Sequence, residues 1–72
     1  MSQTSTAAHG YDESERRRLV RFCRQWTGDA DAGEDIAQIT LMEAWRGQHT
    51  LRNPAAHSSW LYGIARNQCR RW

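Results

Sequence analysis

The chain has 72 residues, a formal net charge of +2, 39% hydrophobic and 25% charged residues, and one proline. That length holds one small domain, which buries only about 60% of the surface its unfolded form exposes, and the composition is globular, which excludes a multi-domain enzyme and a wholly disordered tail. No apolar run approaches the roughly 20 residues of a membrane span, and the opening MSQTSTAAHG lacks a secretion signal's basic-then-apolar pattern, so no membrane association and a cytoplasmic location are expected.

The charge is unevenly spread. Residues 1–45 hold five arginines and all eight acids, a net of −3; residues 46–72 hold five arginines and no acid, a net of +5. All ten cations are arginine, which favours forked contacts to phosphates, carboxylates and base edges; an arginine-rich coding bias gives the same composition. Cys23 and Cys69 are far apart, with neither CxxC spacing nor a disulfide framework, and are read as reduced, partly buried apolar side chains. His9, His49 and His57 have no ligand spacing, so neither a metal nor a cofactor is expected.

In chain order, residues 1–10 are small and polar without apolar periodicity and read as a disordered N-terminal tail, leaving 11–72 as the domain. Tyr11, Leu19, Phe22, Cys23 and Trp26 fall near one side of a helical wheel, predicting a first helix over about 12–27. Asp12, Glu13 and Glu15 favour its positive N-terminal end, and Thr27-Gly28-Asp29 ends it. Asp31 followed by Glu34 resembles a capping box. It opens a second helix over about 32–46 with Ile36, Ala37, Thr40, Leu41, Ala44 and Trp45 inward, Glu34, Asp35, Gln38, Met42 and Glu43 outward, and Gly47 as its stop. A loop with Leu51 as its apolar anchor leads to Asn53-Pro54, a cap followed by a residue suited to the first helical position. The third helix runs towards Trp72, with Trp60, Leu61, Ile64, Ala65 and Trp72 inward and Tyr62, Arg66, Asn67, Arg70 and Arg71 outward. Its pattern is still helical at the last residue, which suggests a truncation or a domain boundary. The expected fold is all-α, a compact three-helix domain, with Leu19, Phe22, Trp26, Ile36, Leu41, Trp45, Leu61 and Ile64 as its core.

The sequence contains no Gly-rich phosphate loop, HExxH, GxSxG or spaced Ser, His and acid grouping, so no enzyme is expected and no catalytic residue is assigned. The last third combines Arg52, Trp60, Tyr62, Arg66, Asn67, Arg70, Arg71 and Trp72. Cations that track phosphates beside rings that stack bases suit single-stranded nucleic acid; a solvated cationic face over core tryptophans accounts for the same residues.

The segment from Asp31 to Arg46, DAGEDIAQITLMEAWR, followed by Trp60 to Asn67, WLYGIARN, resembles the second conserved region of extracytoplasmic-function (ECF) sigma factors, the core-polymerase- and promoter −10-binding domain of the bacterial sigma-70 family, over about residues 14–72. The resemblance implies a transcription initiation module with two main partners, the clamp helices of the largest subunit of core RNA polymerase and the non-template strand of the −10 element, and an anti-sigma factor as a further partner. By position it implies a polymerase face at Asp35, Gln38, Ile39 and Met42, and a DNA face at Arg52, Arg66, Asn67, Arg70 and Arg71. It also implies a base-capture loop from Gln48 to His57 that includes His49, Thr50, Leu51 and Asn53.

The chain departs from the family where Ile39 replaces a usual glutamate, Gly63 a common arginine, His57 a frequent phenylalanine, and Asn53-Pro54 a common Gly-Asp pair. The family's second domain, which reads the −35 element, has no counterpart in these residues. Local readings stay open beside the resemblance: Asp35 suits a first-turn acid, Gln38 a solvated amide, and Trp60 the core rather than a base platform. The alternative for the whole chain is a helical protein-interaction domain of sigma-like fold without promoter melting.

Overall fold

The computed structural model describes residues 13–72; the tail assigned to 1–10, and Tyr11 and Asp12 of the first helix, lie outside them. The elements are α1 (Glu13–Thr27), α2 (Ala30–Gly47) and α3 (His57–Arg71), with 3₁₀ turns Gln48–Thr50 and Pro54–Ala56 between α2 and α3. The described residues contain no strand, so the expected all-α, three-helix architecture is what the chain adopts.

The helix boundaries follow from a few side chains. Gly28 takes a positive φ of 71°, a conformation that costs a glycine little, and its N–H donates to the Arg24 carbonyl at 2.8 Å. The chain reverses so fast that Asp29, not Asp31, is left extended at the head of α2, and its Oδ1 accepts from the Ala32 N–H at 3.0 Å. The capping box expected at Asp31 and Glu34 is thus replaced by a cap two residues earlier. The α-helix ends at Gly47 as expected, but not through a left-handed glycine, since its φ is −98°; the chain passes into a 3₁₀ turn, and the Thr50 hydroxyl donates to the Gly47 carbonyl at 2.7 Å. Asn53 caps as expected, its Oδ1 accepting from the Ala55 N–H at 3.1 Å, although the turn opened by Pro54 is 3₁₀ and α3 proper starts at His57.

The core has two parts. Leu19, Val20 and Cys23 of α1 meet Ile36 and Ala37 of α2 and Ala65 and Cys69 of α3, edged by Phe22, Leu41 and Tyr62; Ala44 and Leu61 form the second part, edged by Leu41, Trp60 and Ile64. The tryptophan placements need correction. Trp26, Trp45 and Trp72 are 44%, 48% and 63% exposed. In a body of 33 × 29 × 17 Å the contact stripes are narrow, so Leu, Val, Ala and Cys fill them while the indoles stay at the edges. Tyr62, expected in solvent, instead packs edge-on against Phe22, with ring centroids 5.1 Å apart and planes at 87°. Thr40 is fully buried, and its hydroxyl has no hydrogen-bond partner, a desolvated polar group that weakens the core where the two clusters adjoin.

Gly33 governs how closely α1 and α2 approach. A Cβ there would lie 2.5 Å from Arg24 Cγ and 2.7 Å from both Arg24 Cα and N, so the α2 backbone rests directly on the backbone of α1.

Cys23 and Cys69 are free and buried, as expected of reduced apolar side chains, and both lie in the first core cluster, one on α1 and one on α3. Burial, reinforced by the neighbouring Cys69, pushes the Cys23 thiol from its ordinary 9.0 up to about 12; burial also raises Cys69. The unfolded chain releases the Cys23 proton first. Its contribution to stability is therefore complete below about pH 9 and is lost as pH rises towards 12. Melting temperature should fall more steeply between pH 8 and 10.5 in the native chain than in Cys23→Ala; parallel slopes would exclude this linkage.

Candidate nucleic-acid and protein interface

The residues singled out on α2 share one outward face. With about 100° per residue, Asp35, Gln38 and Met42 fall within about 60° of one another, and all three are exposed. Ile39 lies at the edge of this face and is 43% exposed, while Met42 is 54% exposed. The buried positions of the same helix, Gly33, Ile36, Ala37, Thr40 and Ala44, occupy the opposite side. Trp45, assigned to the core from its sequence, falls by the same geometry on the outward face, so Ile39, Met42 and Trp45 make an exposed apolar stripe beside Asp35 and Gln38. The signal was present in the sequence: Trp45 follows Gln38 by seven residues, and that spacing returns a helix to the same side.

The third helix presents a second face. Leu61, Ala65 and Cys69 are buried, at i, i+4 and i+8, while Arg66, Asn67, Arg70 and Arg71 are all exposed on the outward side and span about 140° of arc. Gly63 falls inside that arc, and a Cβ added there would meet nothing within 4 Å, so a strip of bare helix backbone lies among the cations. No acid lies on α3; the carboxylate that reaches it is Glu43 of α2, which accepts from Gln68 Nε2 at 2.9 Å at the flank of the helix.

The segment between α2 and α3 brings Gln48, His49, Thr50, Arg52 and Asn53 to the surface, with Leu51 and His57 half-buried. The segment is tightly turned. The Leu51 N–H donates to the Gln48 carbonyl at 3.1 Å, the Ala56 N–H to the Asn53 carbonyl at 2.9 Å, and the Ser59 hydroxyl to the Ala56 carbonyl at 3.1 Å. The His57 ring stands 5.8 Å from that of Trp60. Trp60 is half-buried on the second core cluster, with its Cζ2 3.8 Å from where a Gly47 Cβ would be, so one indole braces both ends of the loop. The structure therefore separates the sequence-derived residues into an α2 face, an α3 face and a connecting loop. Among the described residues no group of His, Cys, Asp or Glu is arranged to hold a metal ion, and no helix is long and apolar enough to cross a membrane.

The described residues thus form a three-helix body with a mixed polar and apolar ridge on α2 and a separate face of arginines and an amide on α3. Residues 12–72 match the family model of sigma-70 region 2, and the chain belongs to that family, on the ECF branch of the sigma factors. It is 34% identical over 59 residues to the ECF RNA polymerase sigma factor SigG of Mycobacterium tuberculosis, covering 82% of this chain and 16% of that protein. It is 38% identical over 50 residues to SigL of the same organism, covering 68% of this chain and 28% of SigL. The probable RNA polymerase sigma factor RfaY of Xanthomonas campestris is 44% identical over 46 residues, covering 64% and 12% of the two chains. The chain thus spans less than a third of the length of these relatives. No solved structure matches it significantly.

Proposed function

We propose that the chain is a non-enzymatic transcription initiation module that docks on core RNA polymerase through α2 and engages the promoter −10 element through α3 and the loop before it. The observation that carries this reading is the separation of the two faces in a member of the sigma-70 region 2 family. In this reading Asp35 and Gln38 supply polar contacts to the clamp helices of the largest polymerase subunit, and Met42 and Ile39 supply apolar contact beside them. Arg52, Arg66, Arg70 and Arg71 track phosphates and position the strand, while Asn67 and the Gln48–His57 loop touch bases of the non-template strand and specify it. An anti-sigma factor, where one acts, would compete for these surfaces.

The test compares binding of single-stranded non-template −10 DNA with duplex of the same sequence at two salt concentrations. Preference for the single strand is expected, with a salt slope near −2 if about three phosphates are neutralised at about 0.7 each. Arg70→Ala with Arg71→Ala should weaken all sequences about equally, whereas changes at Asn67 or in the loop should alter the preference between matched and mismatched strands. Asp35→Ala with Gln38→Ala should weaken clamp-helix binding at nearly unchanged melting temperature. Equal binding to single strand and duplex would favour the alternative of a sigma-like interaction domain without promoter melting.

A further inference from the structure

A third charged feature lies on neither face. Where α1 meets α2, Arg16, Arg17, Arg21 and Arg24 line a groove of about 260 Å³ together with Val20 and, from α2, Glu34. No residue of α3 or of the loop before it lines this groove. It lies beside the crossing at which Gly33 brings the two helix backbones into contact at Arg24.

The arginines are only loosely engaged. Arg16 and Arg17 each approach Glu13 through Nε, at 3.6 and 3.7 Å, and Arg24 approaches Glu34 at 3.8 Å, all between exposed side chains. Charge-assisted hydrogen bonds are shorter, at about 2.7–2.9 Å, and a guanidinium used fully binds through two parallel donors. Among the described residues Arg21 has no ion pair. Arg17, Arg21 and Arg24 also follow one another at i, i+4 and i+7, a spacing at which like charges repel along a helix, and an anion laid across them relieves that repulsion.

The shape of the row selects among anions. Arg17 to Arg24 spans about 10 Å along the helix at about 1.5 Å per residue, whereas the groove is smaller than the about 300–1,000 Å³ usual for an enclosed small-molecule site and opens to solvent. A linear row of forked donors on an open groove suits a linear polyanion better than a compact one, and arginine forks match phosphate oxygens. The geometry points to the α1–α2 groove as a second binding surface for a nucleic-acid phosphate backbone, independent of the cationic face of α3 and carrying no base readout.

The test uses the intact chain and a fluorescent abasic deoxyribose-phosphate strand, followed by anisotropy. Arg17→Gln with Arg21→Gln should weaken binding roughly fivefold or more at low salt and reduce the salt slope by about 1.4, the value of two phosphate contacts. Arg70→Gln with Arg71→Gln should leave residual binding that the α1 changes then remove. Glu34→Gln, which removes the competing carboxylate, should tighten binding about twofold, an outcome that impaired folding cannot produce. Circular dichroism melting checks that each variant folds. The proposal is overturned if the α1 variant binds within twofold of the native chain, or if the α3 variant alone abolishes binding. It is also overturned if tripolyphosphate or polyglutamate displaces the strand at equal charge concentration as well as unlabelled abasic strand does.

Discussion

Leu61→Ala is expected to destabilise the chain by about 2–5 kcal/mol, the range for removing a large buried aliphatic side chain and leaving part of its volume empty. Leu61 is fully buried and, with Ala44, makes up the buried part of the second core cluster. Alanine at 61 would leave two facing alanines where α2 and α3 meet, with only the half-buried Leu41, Trp60 and Ile64 to close the gap. The total stability of a small domain lies in the same range as the loss, so the variant should be largely unfolded at ambient temperature. Urea denaturation followed by circular dichroism measures this directly. A loss below about 0.5 kcal/mol, the level of an ordinary surface substitution, would mean that the α2–α3 contact does not hold the domain together. Because Trp60 braces the Gln48–His57 loop from the same cluster, partial loss of this contact should also loosen the loop before the α1–α2 pair separates.

Gly33→Ala and Gly63→Ala should move stability in opposite directions although the substitution is the same. Helix propensity favours alanine at both positions by up to about 1 kcal/mol. At Gly63 a Cβ meets nothing within 4 Å, so the full gain should appear. At Gly33 the Cβ would stand 2.7 Å from backbone atoms of Arg24, and backbone cannot rotate aside as a flexible side chain can. The helices must separate, at a cost of about 1–3 kcal/mol typical of overpacking and occasionally more, with loss of contact throughout the first core cluster. Thermal melts of the two variants side by side provide the check. A rise in melting temperature for Gly33→Ala would contradict the close crossing of α1 and α2. Gly63→Ala carries a functional reading as well: the bare backbone among Arg66, Asn67 and Arg70 would be covered by a methyl group, so reduced DNA binding in a more stable protein would place a strand against it.

The helical class, the three elements and most of their inward stripes were legible in the chain because apolar spacing at 3.6 residues is a local property, and Leu19, Ile36, Leu61 and Ala65 follow it without conflict. The Asn53 cap was legible for the same reason, since an asparagine before proline acts within three residues. The charge division, with every acid before residue 46, and the two motif blocks also reside in the sequence alone, and they brought Asp35, Gln38, Arg66 and Asn67 forward as candidates. Where two local signals competed, geometry chose. Asp31 and Glu34 had capping-box spacing, but the left-handed turn at Gly28 left Asp29 as the residue positioned to cap.

Only the tertiary arrangement decided which large side chains the thin core could accept. Indoles and small residues satisfy the same helical pattern, but stripes within a body 17 Å thick exclude the former, so Trp26, Trp45 and Trp72 stay partly exposed while Val20, Ala37 and Cys69 are buried. The significance of Gly33 was equally invisible along the chain, because its constraint comes from Arg24 on another helix. The same holds for the meeting of Cys23 and Cys69 in one core cluster and for the arginine-lined groove, whose lining comes from both sides of that crossing. Sequence fixes which residues share the face of one helix because that depends on backbone periodicity; which faces meet, and how closely, depends on side-chain volumes contributed by different helices.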